Sequence, residues 1–165
     1  MIPQHKRVSN SHVPGRTPSS ADEESPILRD NKAIVRRLYE EVWNQRRLDV
    51  VDELISPSHA LNEPLVSDSQ LGQELYKRRV AELTTSFPDL RFTIENMLTE
   101  TSKVVVSWTI SGTLPAAGSK IFLAGFTIHH ITNGKILDSR PRCDALRLLR
   151  QLAANSPLRP TAVSM

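Results

Sequence analysis

Phe87-Pro88-Asp89-Leu90-Arg91-Phe92 joins a helical pattern to a strand pattern, and the reading of the fold turns on that junction. Pro88 has no N–H to donate and biases Ser86-Phe87 toward extended geometry, so a helix should stop before it. Beyond it Leu90, Phe92 and Ile94 alternate with Arg91, Thr93 and Glu95, the period of a half-buried strand. Helices precede the junction and a sheet follows it. The helices must therefore cover one face of that sheet. The expected class is α+β, a curved, mostly antiparallel sheet with helices over its concave face, which can enclose a small-molecule pocket.

Upstream of the junction, residues 1–28 are rich in Pro, Ser and charge and carry no apolar period, which predicts a disordered basic tail. Order is expected from Asp30, a plausible N-cap, giving a folded domain over residues 29–154. Ile34, Val35, Leu38, Tyr39, Val42 and Trp43 recur at helical spacing, with Arg36, Arg37, Glu40 and Glu41 opposite. A short second helix should carry Val51, Leu54 and Ile55 and end at Pro57. Residues 58–66 read as irregular or a short strand. Ser67, Asp68 or Ser69 can cap a third helix with the stripe Leu71, Leu75, Val80 and Leu83.

Downstream, Val104, Val106, Trp108 and Ile110 share one strand face, with Val105, Ser107, Thr109 and Ser111 on the other. Residues 120–131 are apolar on both faces, so that strand should be central or covered twice. Asn133-Gly134 is a strong signal for a type I′ hairpin turn into a last strand over residues 135–143. Asp144 then caps a closing helix with Leu146, Leu148, Leu149 and Leu152, and residues 155–165 form a loose tail.

Composition narrows the class. A chain of 165 residues with 39% hydrophobic and 24% charged residues suits one globular domain with a real core. The net charge of +3 gathers toward the ends, since Lys6, Arg7 and Arg16 precede any acid and no acid follows Asp144. No aromatic interleaving or nucleic-acid motif accompanies those bases, so nucleic acid is not an expected partner. No apolar stretch approaches the ~18 residues of a membrane span, so neither is a membrane. The N-terminus lacks a secretory apolar core, and its acid-free, Ser- and Arg-containing start also resembles organelle-targeting segments. The lone Cys143 cannot close an internal disulfide and has no metal-type Cys spacing, which fits a reducing, cytoplasmic setting.

The order of elements, together with particular residues, resembles a known family. Asn31-Lys32-Ala33-Ile34-Val35-Arg36-Arg37-Leu38-Tyr39-Glu40-Glu41-Val42-Trp43-Asn44 is similar to the first helix of SnoaL-like polyketide cyclases, which belong to the nuclear transport factor 2-like superfamily. The likeness continues at Asp52-Glu53-Leu54, Phe87-Pro88-Asp89-Leu90, Asn133-Gly134-Lys135-Ile136 and Asp144 through Leu152. The resemblance implies a cone-shaped sheet, an apolar pocket for a small hydrophobic molecule, and a homodimer through the outer sheet face. It implies acid–base chemistry that needs no cofactor or metal: an intramolecular aldol closure in which one group removes a proton beside a carbonyl and another stabilises the oxygen. The family's histidine and aspartate align with Thr127 and Pro141, and its tryptophan with Arg140. A histidine common after the second helix aligns with Asn62, and another after Gly-Thr with Leu114. Neither Thr127 nor Pro141 can carry out the expected proton transfer.

The remaining candidates follow from parity and residue chemistry. His129 shares the strand face of Thr127 and is the best remaining acid–base group; a histidine hydrogen-bonded within the core is the plainer alternative. Asp144 either works with His129, if the strand end bends inward at Pro141, or caps the last helix. Glu63, beside Asn62, would have a raised pKa in an apolar cavity; otherwise it is a loop carboxylate. Tyr39, Trp43 and Trp108 suit a flat wall for a cyclic ligand or ordinary core packing. Cys143 shares the parity of Pro141 and so can touch the pocket; a small buried hydrophobe is the plainer reading. Three functions stay open: a cyclase or isomerase acting on a hydrophobic, polyketide-like carbonyl compound; a non-catalytic ligand-binding or accessory protein; and an epoxide hydrolase, for which no convincing Asp-Arg-Asp set falls on pocket-facing positions.

Overall fold

A computed structural model describes residues 26–62, 72–115 and 118–154. Five strands form one sheet in the order β1-β5-β4-β3-β2. They are β1 (Ile55–Leu61), β2 (Arg91–Glu100), β3 (Lys103–Thr113), β4 (Lys120–Thr132) and β5 (Lys135–Cys143). Only the β1–β5 pair is parallel. The class is α+β, as the Phe87–Phe92 junction implied. Asn133 and Gly134 have φ of 52° and 73°, the two positive values a type I′ turn demands.

The junction itself is a tied corner. Helix α3 (Gly72–Ser86) stops before Phe87, and the Leu90 N–H closes a turn onto the Phe87 carbonyl at 2.9 Å. The Asp89 carboxylate accepts from the Thr113 N–H (2.8 Å) and hydroxyl (2.6 Å), tying the corner to the end of β3. Those bonds, the hydroxyl's first, hold the Asp89 carboxyl below its usual range.

Helix boundaries differ from expectation at three places. Helix α1 (Pro26–Arg37) begins before Asp30, with Pro26 at the first helical position, where its missing N–H costs nothing. Residues 26–28 of the expected tail are thus helical, whereas residues 1–25 and 155–165 lie outside the described residues. The short helix α2 (Val51–Leu54) ends at Leu54, so Ile55 opens β1 instead, and Pro57 sits within that strand. Proline is tolerated there because β1 is an edge strand whose register shifts between Ile55 and Ala60. On α3 the buried residues are Tyr76 and Val80, while Leu75 is exposed. Tyr76, Val80 and Leu83 keep the i, i+4, i+7 spacing of one face, and Leu75 falls off it. The expected caps Ser67, Asp68 and Ser69 lie outside the described residues.

The chain of α1 continues without a break into a π-helical stretch, Leu38–Asn44. Val35, Leu38, Tyr39, Val42 and Trp43 are buried along it against Val104, Val106 and Trp108 of β3. The Asn44 amide accepts from the Phe92 N–H (2.8 Å) and donates to the Phe92 carbonyl (2.9 Å), so it acts as a one-residue partner for edge strand β2. Gln151 does the same at the other end of the sheet. It lies on the last helix, α4 (Ala145–Ala154), and brackets the Phe122 N–H (2.9 Å) and carbonyl (2.7 Å). The outer sheet face leaves Leu98, Phe122 and Phe126 exposed, the second apolar face expected of residues 120–131. No described helix is long and apolar enough to cross a membrane.

Gly125 lies opposite Trp108 in the β3–β4 register. A Cβ there would collide with the Trp108 ring and with the Arg142 carbonyl oxygen, so the indole lies flat on the sheet only because this residue has no side chain. Gly125→Ala is expected to destabilise the fold by about 1–3 kcal/mol, the usual range for overpacking, measured by urea unfolding followed through tryptophan fluorescence.

Candidate functional site

A cavity of ≈ 610 Å³ opens between the concave sheet face and the helices, the size of a small-molecule site. Phe92, Trp108, Ile110 and Leu123 form its sheet wall, and Tyr39 and Trp43 face them from the π-helical stretch. Leu83 and Phe87 close one side, and Leu148 and Leu152 of α4 reach it from the other. Among the described lining residues there is no carboxylate; the charged groups are Arg79 and Arg142. Arg142 donates to the carbonyls of Asn62 (3.0 Å) and Pro141 (2.7 Å).

The polar groups gather at the inner end. β-Alternation puts Thr127 and His129 on the inner face of β4, opposite Pro141 and Ser139 of β5. His129 Nε2 lies 3.2 Å from the Tyr39 hydroxyl, and His129 Nδ1 lies 2.9 Å from the Ser139 hydroxyl. The same Ser139 oxygen is 3.0 Å from His59 Nε2 on β1. Trp108 Nε1 donates to the Thr127 hydroxyl at 2.8 Å, and Trp43 Nε1 donates to the Tyr76 hydroxyl at 3.1 Å. The Tyr76 ring stands edge-on to His59, 5.3 Å between centroids.

Burial keeps these groups uncharged. It drives the His129 imidazole down to about 3, with His59 adding to the effect. It drives His59 down to about 4, against a weaker upward pull from Asp138. It raises the Tyr39 phenol above its ordinary range, opposed by the Thr127 hydroxyl, and pushes Tyr76 up to about 12. At neutral pH the site is therefore a string of neutral donors and acceptors, not an ion pair.

Tyr39, Trp43, Trp108, Thr127, His129 and Cys143 all line the cavity, so six of the residues singled out in the sequence meet there; Cys143 does so exposed, not buried, because it is the last residue of β5. Asp144 does not join them. It is exposed, and its carboxylate accepts from the Arg147 N–H at 2.9 Å, the N-cap role. Asn62 is engaged through its backbone, its N–H donating to the Ser139 carbonyl at 2.9 Å, and it is not among the lining residues. Glu63 lies outside the described residues. Asp138 faces the other way, 3.2 Å from His130. Among the described residues no three of His, Cys, Asp or Glu converge as metal ligands. Sequence reasoning missed His59 and Ser139. The signal for His59 was the apolar alternation Ile55, Pro57, His59, Leu61, broken to the eye by its proline.

The family model for SnoaL-like polyketide cyclases matches residues 33–152, most of the chain and all of the cavity-bearing sheet. The chain belongs to that family. Among solved structures, a protein from Jannaschia sp. CCS1, named provisionally as a SnoaL-like polyketide cyclase, is 25% identical. The match covers 82% of this chain and 99% of that one, with a TM-score of 0.71. A protein from Acidithiobacillus ferrooxidans, named provisionally as a polyketide cyclase, is 24% identical over 77% of this chain and 96% of its own, with a TM-score of 0.70. TsrD from Streptomyces laurentii is 22% identical over 80% and 99% of the two chains, at a TM-score of 0.67. The last two likenesses concern the fold. No curated protein matches the sequence. This SnoaL-like chain thus has the family scaffold, with Thr127 and Pro141 paired across β4 and β5 where the resemblance puts the acid–base pair.

A depressed histidine pKa carries a definite sign. The unfolded chain binds protons near pH 6.5 and the folded chain does not, so stability falls as pH drops below that value until the folded pKa is reached. The loss should run from about pH 6.5 to pH 4 for His59 and on to about pH 3 for His129, at roughly 3 kcal/mol for each imidazole by pH 4.5. Urea unfolding at pH 7.5, 6 and 4.5 measures it, and His59→Asn should flatten the dependence.

Proposed function

We propose that the cavity binds a small, hydrophobic, carbonyl-bearing ring compound and that the Tyr39 phenol polarises its carbonyl oxygen in a cyclisation or isomerisation. The observation that supports this reading is the Tyr39–His129 contact of 3.2 Å at the buried polar end of a largely apolar cavity. A carbonyl placed there meets a phenol held neutral by burial, in surroundings of low dielectric where a hydrogen bond to a developing enolate oxygen is strongest. The indole and benzyl faces of Trp108 and Phe92 suit a flat ring. His129 is a poor base in this role, because a pKa near 3 leaves its imidazole little appetite for a carbon-bound proton; solvent water entering the cavity takes that proton and returns it to carbon, while Tyr39 keeps its own and stabilises the enolate oxygen.

A second reading is a binding or accessory protein on the same scaffold. The lack of a carboxylate among the described lining residues favours it. Under either reading the expected self-association would use the outer sheet face, where Leu98, Phe122 and Phe126 are exposed.

2-Tetralone, a bicyclic ketone, separates the two. Quenching of tryptophan fluorescence reports its binding, and NMR in D2O reports exchange of its α-hydrogens. The catalytic reading expects exchange above the buffer rate, reduced ~10-fold or more in Tyr39→Phe. Binding with exchange at the buffer rate selects the accessory reading, and no binding at all overturns both.

A further inference from the structure

The hydrogen-bonded string continues past His129 to Ser139 and His59, and the direction in which it runs decides what Tyr39 can offer. His59 is fully buried, and its Nδ1 has no hydrogen-bond partner among the described residues. Ser139 is 3% exposed, and its hydroxyl meets two imidazole nitrogens, His59 Nε2 at 3.0 Å and His129 Nδ1 at 2.9 Å. A hydroxyl has one proton to donate and lone pairs to accept; a neutral imidazole has one N–H and one bare nitrogen.

Three arrangements satisfy those rules. In the first, Tyr39 donates to His129, His129 to Ser139, and Ser139 to His59; the proton on His59 then sits on Nδ1 with nothing to receive it. In the second, both imidazoles donate to Ser139, and the serine proton is the one left over. In the third, His59 Nε2–H donates to Ser139, Ser139 donates to His129 Nδ1, and His129 Nε2–H donates to the Tyr39 oxygen. Among His59, Ser139 and His129 only a lone pair on His59 Nδ1 goes unmatched in this arrangement, and the protons of all three are donated; the Tyr39 proton is left free for the cavity. Orphaned buried N–H groups are rarer in proteins than under-used acceptors.

We infer that the string is polarised outward, His59 to Ser139 to His129 to Tyr39, and that His59 and Ser139 are positioning residues fixing His129 as the Nε2–H tautomer. The Tyr39 oxygen then accepts from within, and its own proton points to the Thr127 hydroxyl or the cavity. Each bond sharpens the next as a donor. The proton itself stays on the phenol. Passing it to a ligand and refilling along the string would leave His59 as a buried imidazolate, which its neighbours among the described residues, the Tyr76 ring and, more distantly, the Asp138 carboxylate, do not stabilise. The site therefore stabilises an oxyanion by hydrogen bonding, and the bare nitrogen of His129, Nδ1, is taken up by the Ser139 hydroxyl, so His129 turns no base toward the cavity. The catalytic consequence rests on the reading of the preceding subsection; the tautomers do not.

The test is long-range ¹H–¹⁵N correlation spectroscopy of the histidine side chains in the full, ligand-free protein with ¹⁵N-labelled histidine, at pH 7. The expected spectrum has both rings neutral and protonated on Nε2. An Nδ1–H tautomer on His59 or His129, or a rapidly averaged mixture on either, overturns the inference whether or not 2-tetralone is a substrate. Ser139→Ala should release His129 into a tautomer mixture and lower 2-tetralone exchange several-fold with its binding nearly unchanged, while Ser139→Thr, which keeps the hydroxyl, should restore both spectrum and rate. An unchanged His129 signal in Ser139→Ala overturns it equally. If that variant does not fold, the wild-type spectrum decides alone.

Discussion

The facing of His129 and Ser139 across β4 and β5 is the constraint on which the site depends. Plain counting outward from the Asn133-Gly134 turn would set His129 against Asp138. An irregularity between His130 and Ile131 moves the register by one residue, so His129 meets Ser139 and His130 meets Asp138. A one-residue slip sends a side chain to the opposite face of a sheet. Here it puts a neutral hydroxyl on the inner face and keeps a carboxylate on the outer one. Had Asp138 stood inside against His129, the imidazole would have carried charge and the cavity would hold an ion pair.

That choice sets the character of the whole pocket. A neutral polar string is tolerated inside a core when its members satisfy one another, and it demands none of the compensation that a buried charge does. The surrounding wall can then be apolar, with Trp108 lying against Gly125 and Phe92 meeting Tyr39 and Trp108 edge-on and Trp43 at a tilt, ring centroids 5.1–5.7 Å apart. The π-helical stretch serves the same end. It presents Tyr39 and Trp43 together on the buried side, one to His129 and the other to Tyr76.

Much of the scaffold was legible because its signals are local. Proline at 88, the Asn133-Gly134 pair and strict alternation in β2 and β3 each name a conformation from a few neighbouring residues. The family resemblance put Thr127 at a pocket position, and parity then carried the inward face to His129. Helix starts and stops were less legible: Asp30 looks like a cap but lies within a helix begun at Pro26, and Pro57 looks like a stop but sits in an edge strand. The polar string was illegible for a different reason. His59, Ser139 and Tyr39 are joined through the parallel β1–β5 pairing and a register shift, which no local pattern in the sequence encodes. Asp144 shows the converse, a residue whose position invites a catalytic reading and whose contacts are those of a helix cap.

Gln151 covers an open place along the flank of β4. β5 ends opposite Gly125, so the first residues of β4 have no strand beside them on that flank. The Gln151 amide fills one such place at Phe122, from the helix that also contributes Leu148 and Leu152 to the cavity. If α4 swung aside to admit a guest, it would uncover a bare N–H and carbonyl beside an exposed phenylalanine, an invitation to a stranger's backbone. One side chain of a helix that walls the cavity thus also covers a stretch of open sheet edge.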